Sequence, residues 1–179
     1  MTFRRRPLAA ALLCAALSVA VLTACAPQAE PTPTPHFTSD QQAYAAAEQT
    51  YRNYIDALNK VDLSDPATFE DVYKWETGKA LAADKKNLTK YHADRSTIEG
   101  ESVVTRLLPE SRSEDYSSVQ IEGCVDVSSV IVRDAEGRSL VSPDRVSVQS
   151  ITVVVTRWPS SSTHFLVSAI RGRTGGLKC

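Results

Sequence analysis

The chain has 179 residues, 42% of them hydrophobic, with 20 Lys and Arg against 21 Asp and Glu, a formal charge of −1. That balance argues against nucleic acid or anionic headgroups as main partners, since both call for clustered Lys and Arg. The length suffices for one domain with a real hydrophobic core.

Arg4, Arg5 and Arg6 open the chain, Leu8 to Leu22 forms a weakly polar to apolar run, and small residues follow. This is the layout of a secretory signal. As a helix the run would cover only about 22 Å at ~1.5 Å per residue, short of a bilayer core of about 30 Å, so a permanent transmembrane anchor is not expected. Leu22-Thr23-Ala24-Cys25 resembles the bacterial lipobox, in which leucine and small residues precede a cysteine. The resemblance implies that residues 1–24 are removed and that the Cys25 sulfur carries a diacylglycerol group. It also implies that Cys25 becomes the first residue of a lipoprotein held on the extracytoplasmic face of the cell membrane. Cleavage would take away three Arg and no acid, moving the formal charge from −1 to −4.

The same resemblance settles the thiols. Cys14 leaves with the signal peptide and Cys25 is committed to lipid, so Cys124 and Cys179 remain. Two thiols in an oxidising compartment suggest one disulfide, the alternative being two unrelated buried thiols. It would close a loop of about 55 residues, worth roughly 4 kcal/mol on a chain-entropy estimate. No metal site is expected, because two cysteines without a nearby His pair do not make a tetrahedral set.

Residues 25–38 are rich in proline and poor in apolar bulk, which predicts an extended tether that includes His36 and Phe37. A single domain over 39–179 follows. Ser39 is placed to cap a first helix, with Asp40 in its first turn and Gln42 completing a capping box. Tyr44, Ala47, Tyr51, Tyr54, Ile55 and Leu58 then recur at helical spacing. Asp65-Pro66 starts a second helix carrying Phe69, Val72 and Tyr73, with Trp75 near its end. After Gly78 a third helix is predicted over about 79–91, with Leu81, Leu88 and Tyr91 on one side.

From Thr97 the period changes to two. A strand over Val103–Leu108 is expected to end at Pro109. In the next, Val119, Ile121, Gly123, Val125 and Val127 share one face, while Cys124 and Asp126 lie on the polar one. Asp134–Gly137 reads as a turn. Val146 and Val148 lie in one phase and Ile151, Val153 and Val155 in the other, which predicts a β-bulge near Gln149–Ser150. A turn at Trp158–Ser162 precedes a last strand over His164–Arg171.

Three amino-terminal helices packed on a curved four-stranded antiparallel sheet make an α+β domain. Over residues 40–172 this element order resembles the nuclear-transport-factor-2-like cone fold, and small lipoproteins of that kind from high-GC Gram-positive bacteria. The family's strand between its second and third helices has no counterpart in the pattern. The resemblance implies a pocket between helices and sheet, which relatives use for ligands or for catalysis.

A base near neutral pH would come from His92, His164 or Asp126. His92 lies beside Asp94 and Arg95 at a helix end, His164 opens a strand, and Asp126 sits on a polar strand face, all ordinary structural settings. Gly100-Glu101-Ser102-Val103-Val104 lacks the second glycine of a nucleophile elbow, and Gly172–Gly176 lacks the lysine and the helix of a phosphate loop. No cofactor is expected. The reading is therefore a lipid-anchored, non-catalytic domain for an unidentified protein or small-molecule ligand. The alternative is a cone-fold enzyme with Asp126 or a His as base. A sealed core filled by Tyr54, Phe69 and Trp158 would favour the first, and an open pocket holding a desolvated Asp or His the second.

Overall fold

The structure, a computed structural model, describes residues 37–179. The signal segment, the lipobox with Cys25, and the tether through His36 lie outside the described residues.

Phe37, expected to close the tether, is instead core: it is 6% exposed and stacks on Phe165 with ring centroids 4.9 Å apart. An aromatic ring is too large an apolar group to leave in water when a facing strand offers a slot. Helix α1 (Asp40–Leu58) follows, capped by Ser39, whose side chain accepts from the Gln42 backbone N–H. Gln42 in turn accepts from the backbone N–H and the hydroxyl of Thr38, one residue before the position a standard capping box would satisfy. Ala43, Ala47, Tyr51, Tyr54 and Ile55 form its buried face.

Asp65 caps a 3₁₀ turn (Pro66–Thr68) that runs directly into the short helix α2 (Phe69–Tyr73). Helix α3 covers Gly78–Ala93. Gly78 takes a positive φ of 54° where the chain turns into this helix, a conformation open to glycine at little cost.

The strands are β1 (Thr97–Glu99), β2 (Val103–Arg112), β3 (Ser118–Asp126), β4 (Ile131–Arg133), β5 (Val148–Arg157) and β6 (Phe165–Gly172). β2-β3-β5-β6 form the four-stranded antiparallel sheet of the expected α+β fold, left open at both edges. β1 and β4, too short to carry an alternation signal, pair separately. Helices α1 and α3 lie on one face of the larger sheet, where Val119, Ile121, Val153, Val155, Phe165 and Val167 are fully buried.

Several sequence expectations are corrected here. Pro109 does not end its strand: β2 is an edge strand, so the missing N–H interrupts the ladder only as a register shift beside Ser111. The bulge is not at Gln149–Ser150, where β3 and β5 pair without a break. Val146 is 64% exposed in the loop before β5, so its phase carried no strand information. The register shift falls between Val154 and Val155 opposite β6, where Ala169 and Val167 are their partners and Ser168 is the extra residue. Beyond it β6 changes phase, which lets Ile170 as well as Phe165 and Val167 pack against the core. Trp158 lies in the β5–β6 turn, as its sequence suggests, and at 46% exposed it does not join Tyr54 and Phe69 in a sealed core.

Cys124 sits on the face of β3 away from the core and is nevertheless 3% exposed, because the carboxyl-terminal tail covers it. Cys124 and Cys179 are joined by a disulfide with Cα atoms 5.6 Å apart. Arg173 holds the start of the tail: it donates to Thr152 Oγ1 at 2.6 Å and pairs with Glu110 and Glu122, both at 2.7 Å. Near the end, the Leu177 backbone donates to Glu122 at 3.0 Å and accepts from Ser150 Oγ at 3.0 Å.

Candidate binding cleft

An open cleft of about 480 Å³ lies beside the end of α1, bounded by α3 and β1. Leu58, Val61, Leu88, Tyr91 and Ile98 give it apolar walls. Asn59 stands at its mouth, where its amide exchanges two hydrogen bonds of 2.9 Å with the Ser102 backbone. A second, smaller cavity of about 140 Å³ lies further along α3, lined by Tyr54, Glu76, Ala80, Asp84 and Ile170 among others. Asp84 lines both.

Three elements bring this acid cluster together. Tyr54 comes from the buried face of α1. Asp84 stands on α3 one turn after buried Ala80 and one turn before buried Leu88, so helical geometry turns it inward. Glu76 is carried by the link between α2 and α3, which runs beside β6. The Thr77 N–H donates to the Val167 carbonyl and the Val167 N–H to the Trp75 carbonyl, each at 2.9 Å, bridging Glu76 to Val167 in parallel. This one-residue bridge stands where the cone fold has its missing strand.

Glu76 is 3% exposed, and neither of its carboxylate oxygens has a hydrogen-bond donor outside the acid pair. Burial, and then the charge of Asp84, push its carboxyl up to about 9. Burial also raises Asp84, opposed by the hydrogen bond from Tyr54, whose hydroxyl donates to Asp84 Oδ2 at 2.8 Å. Tyr54 itself is held well above its ordinary range by burial and by both acids. Two ionised carboxylates offer each other no donor, so the pair titrates as a unit and holds one proton near neutral pH.

The sequence candidates lie elsewhere. Asp126 accepts from the Ser128 N–H at 2.8 Å, and the Ser128 hydrogen bonds hold its carboxyl below the usual range, the setting of a turn cap. His92 is exposed, hydrogen-bonded to the Leu63 carbonyl at 2.8 Å and edge-on to Phe69. His164 occupies the β5–β6 turn at φ 62°, with its ring against Phe37 and its Nδ1 3.2 Å from the Pro159 carbonyl. None of the three lines either cavity. Glu76 and Asp84 were missed, although both are signalled by spacing: Glu76 continues the series Phe69–Val72, and Asp84 lies midway between Ala80 and Leu88. Among the described residues no group of three or more His, Cys, Asp and Glu is placed to hold a metal ion.

These features define an α+β domain of the cone type with an open, partly apolar cleft beside a buried acid pair. No protein-family model matches the chain, and no curated protein matches it in sequence. Among solved structures it is similar to the intermembrane space region of the chloroplast protein ARC6, with 11% identity over 72% of this chain and 95% of that one, at a TM-score of 0.50. It is equally similar to a putative aromatic ring hydroxylase from Novosphingobium aromaticivorans, with 12% identity over 75% and 96% of the two chains and a TM-score of 0.50. At such identities the likeness is one of fold.

Proposed function

We propose that this is a lipid-anchored extracytoplasmic lipoprotein whose single domain binds a small molecule in the cleft beside α3. The observation that carries the binding is the cleft itself: about 480 Å³, apolar on its walls and opening at one place onto a desolvated acid. The anchoring rests on Leu22-Thr23-Ala24-Cys25 behind a basic and apolar leader. One feature agrees with it: the Cys124–Cys179 disulfide suits an oxidising compartment.

An open cleft with a desolvated acid is also what the enzyme reading required. The bases which that reading named stand outside the cleft, and Asn59, the amide at its mouth, is occupied by the Ser102 backbone. Asn87 and Tyr91 also line the cleft, and the binding reading is supported by its size and apolar walls.

Thermal melting of the processed domain against a panel of small metabolites tests the binding, because a ligand that prefers the folded state raises Tm. Cys25→Ala tests the anchor: the variant is expected in the medium or unprocessed, and its normal recovery with membranes would refute lipidation.

A further inference from the structure

We propose that the Glu76–Asp84 pair receives the protonated amino group of a small apolar amine whose hydrocarbon part lies in the larger cleft. The inference rests on reading that cleft as a ligand site and names the ligand's chemical class.

The acceptor count points to a primary ammonium. Glu76 is 97% buried with both oxygens lacking a donor outside the acid pair, and it lines the smaller cavity. Asp84 has one oxygen engaged by Tyr54 and one left over. Once the proton shared by the pair has left, that makes three acceptor atoms, and a primary ammonium carries three N–H donors. A hydroxyl brings one, and an anion would meet a like charge. A metal ion would find two carboxylates where it needs a fuller set of ligands.

Size agrees. The smaller cavity of about 140 Å³ suits a head group of a few heavy atoms, a water occupying ~30 Å³ of liquid. Asp84 is the residue common to both linings, so a ligand whose head reaches Asp84 from the larger cleft would pack its body on Leu58, Val61 and Leu88.

The charged and titratable groups facing the pair are Tyr51 and Tyr54 of α1, Tyr73 of α2, Lys79 of α3 and Arg171 of β6. Lys79 and Arg171 are exposed and form no ion pair with Glu76 or Asp84. Their repulsion of the ligand is screened by solvent. The pair's shared proton is the amine's true competitor. Binding therefore exchanges one cation for another: the ammonium enters with its three protons and the carboxyl proton leaves to water.

The test is calorimetric titration of the full processed protein with hexylamine and phenethylamine and with the matching alcohols. Runs at pH 6, 7 and 8 would use two buffers of different ionisation enthalpy. Each amine is expected to bind at least tenfold more tightly than its alcohol, to gain five- to tenfold in affinity per pH unit, and to release about one proton. Glu76→Gln should remove the pH dependence and weaken amine binding at least tenfold, and Asp84→Asn serves if Glu76→Gln does not fold. Equal affinities for amine and alcohol, no proton release, or unchanged amine binding in a folded variant would overturn the inference. So would failure of both amines to bind. If amine and alcohol bind equally and Asn87→Trp at the cleft mouth blocks both, the cleft remains a ligand site and only its amine preference falls.

Discussion

Glu76 places a buried carboxyl beside the carboxyl of Asp84, and the cost of that arrangement depends on pH. Its folded-state affinity for a proton exceeds that of the unfolded chain, so the folded state binds the extra proton. Its contribution is fully present below the ordinary glutamate range and is lost as pH rises towards about 9. The unfolding free energy should accordingly decline between pH 5.5 and 8.5, by up to about 1.4 kcal/mol per pH unit for one proton. Urea unfolding at pH 5.5, 7 and 8.5 measures this, and Glu76→Gln should flatten the slope and be the more stable protein at pH 8.5. Gly123 is sensitive for a steric reason: a Cβ there would stand 2.9 Å from Leu107 Cδ2 and 3.4 Å from Ile151 Cγ1. Gly123→Ala is expected to cost about 1–3 kcal/mol as an overpacked core, read as a lowered urea midpoint with unchanged slope. At this scale the sequence was readable where residues were apolar and misleading where they were not. Asp84 occupies an inward helical position, yet a polar residue is ordinarily assigned to solvent, and only the two flanking turns show that it cannot be there.

Among the elements, the helices were largely legible and the sheet edges were not. Ser39 and Asp65 cap their helices as the spacing suggests, because a cap is a local event that side chain and backbone decide between them. The bulge at Ser168 is a contest between two strands over which side chains reach the core, and its location follows from pairing that no single strand records. The three-residue pair β1 and β4 holds together through tertiary contacts and left no periodic trace. The tail beyond β6 behaves as an element without being a helix or strand. The Cys124–Cys179 link closes a separation of 55 residues. Replacing both cysteines by serine is expected to remove up to about 4 kcal/mol. Non-reducing peptide mapping of the secreted protein should recover the linked pair, and free thiols at both positions would contradict it. Phe37→Ala should cost about 3–5 kcal/mol, since it empties a ring-sized slot against Phe165. A loss under ~1 kcal/mol would return Phe37 to the tether.

Among the described residues, the sheet is covered on one face by helices, a fastened tail lies over Cys124 on the other, and an open cleft stands beside α3. Cone architecture was legible from element order, but the cleft was not, since an opening is set by what the surrounding side chains fail to fill. The leader and lipobox propose where the domain works, and the cleft proposes what it does there. The most direct test compares the melting of the wild-type domain with that of Asn87→Trp, whose indole would stand at the cleft mouth, across one panel of small metabolites. A ligand at a hundredfold excess over Kd adds about 2.7 kcal/mol, on the order of 8 °C for a domain of this size. The account predicts at least one compound that raises the wild-type Tm by that order and leaves Asn87→Trp unmoved. No shift with any compound, or equal shifts in both proteins, would contradict it.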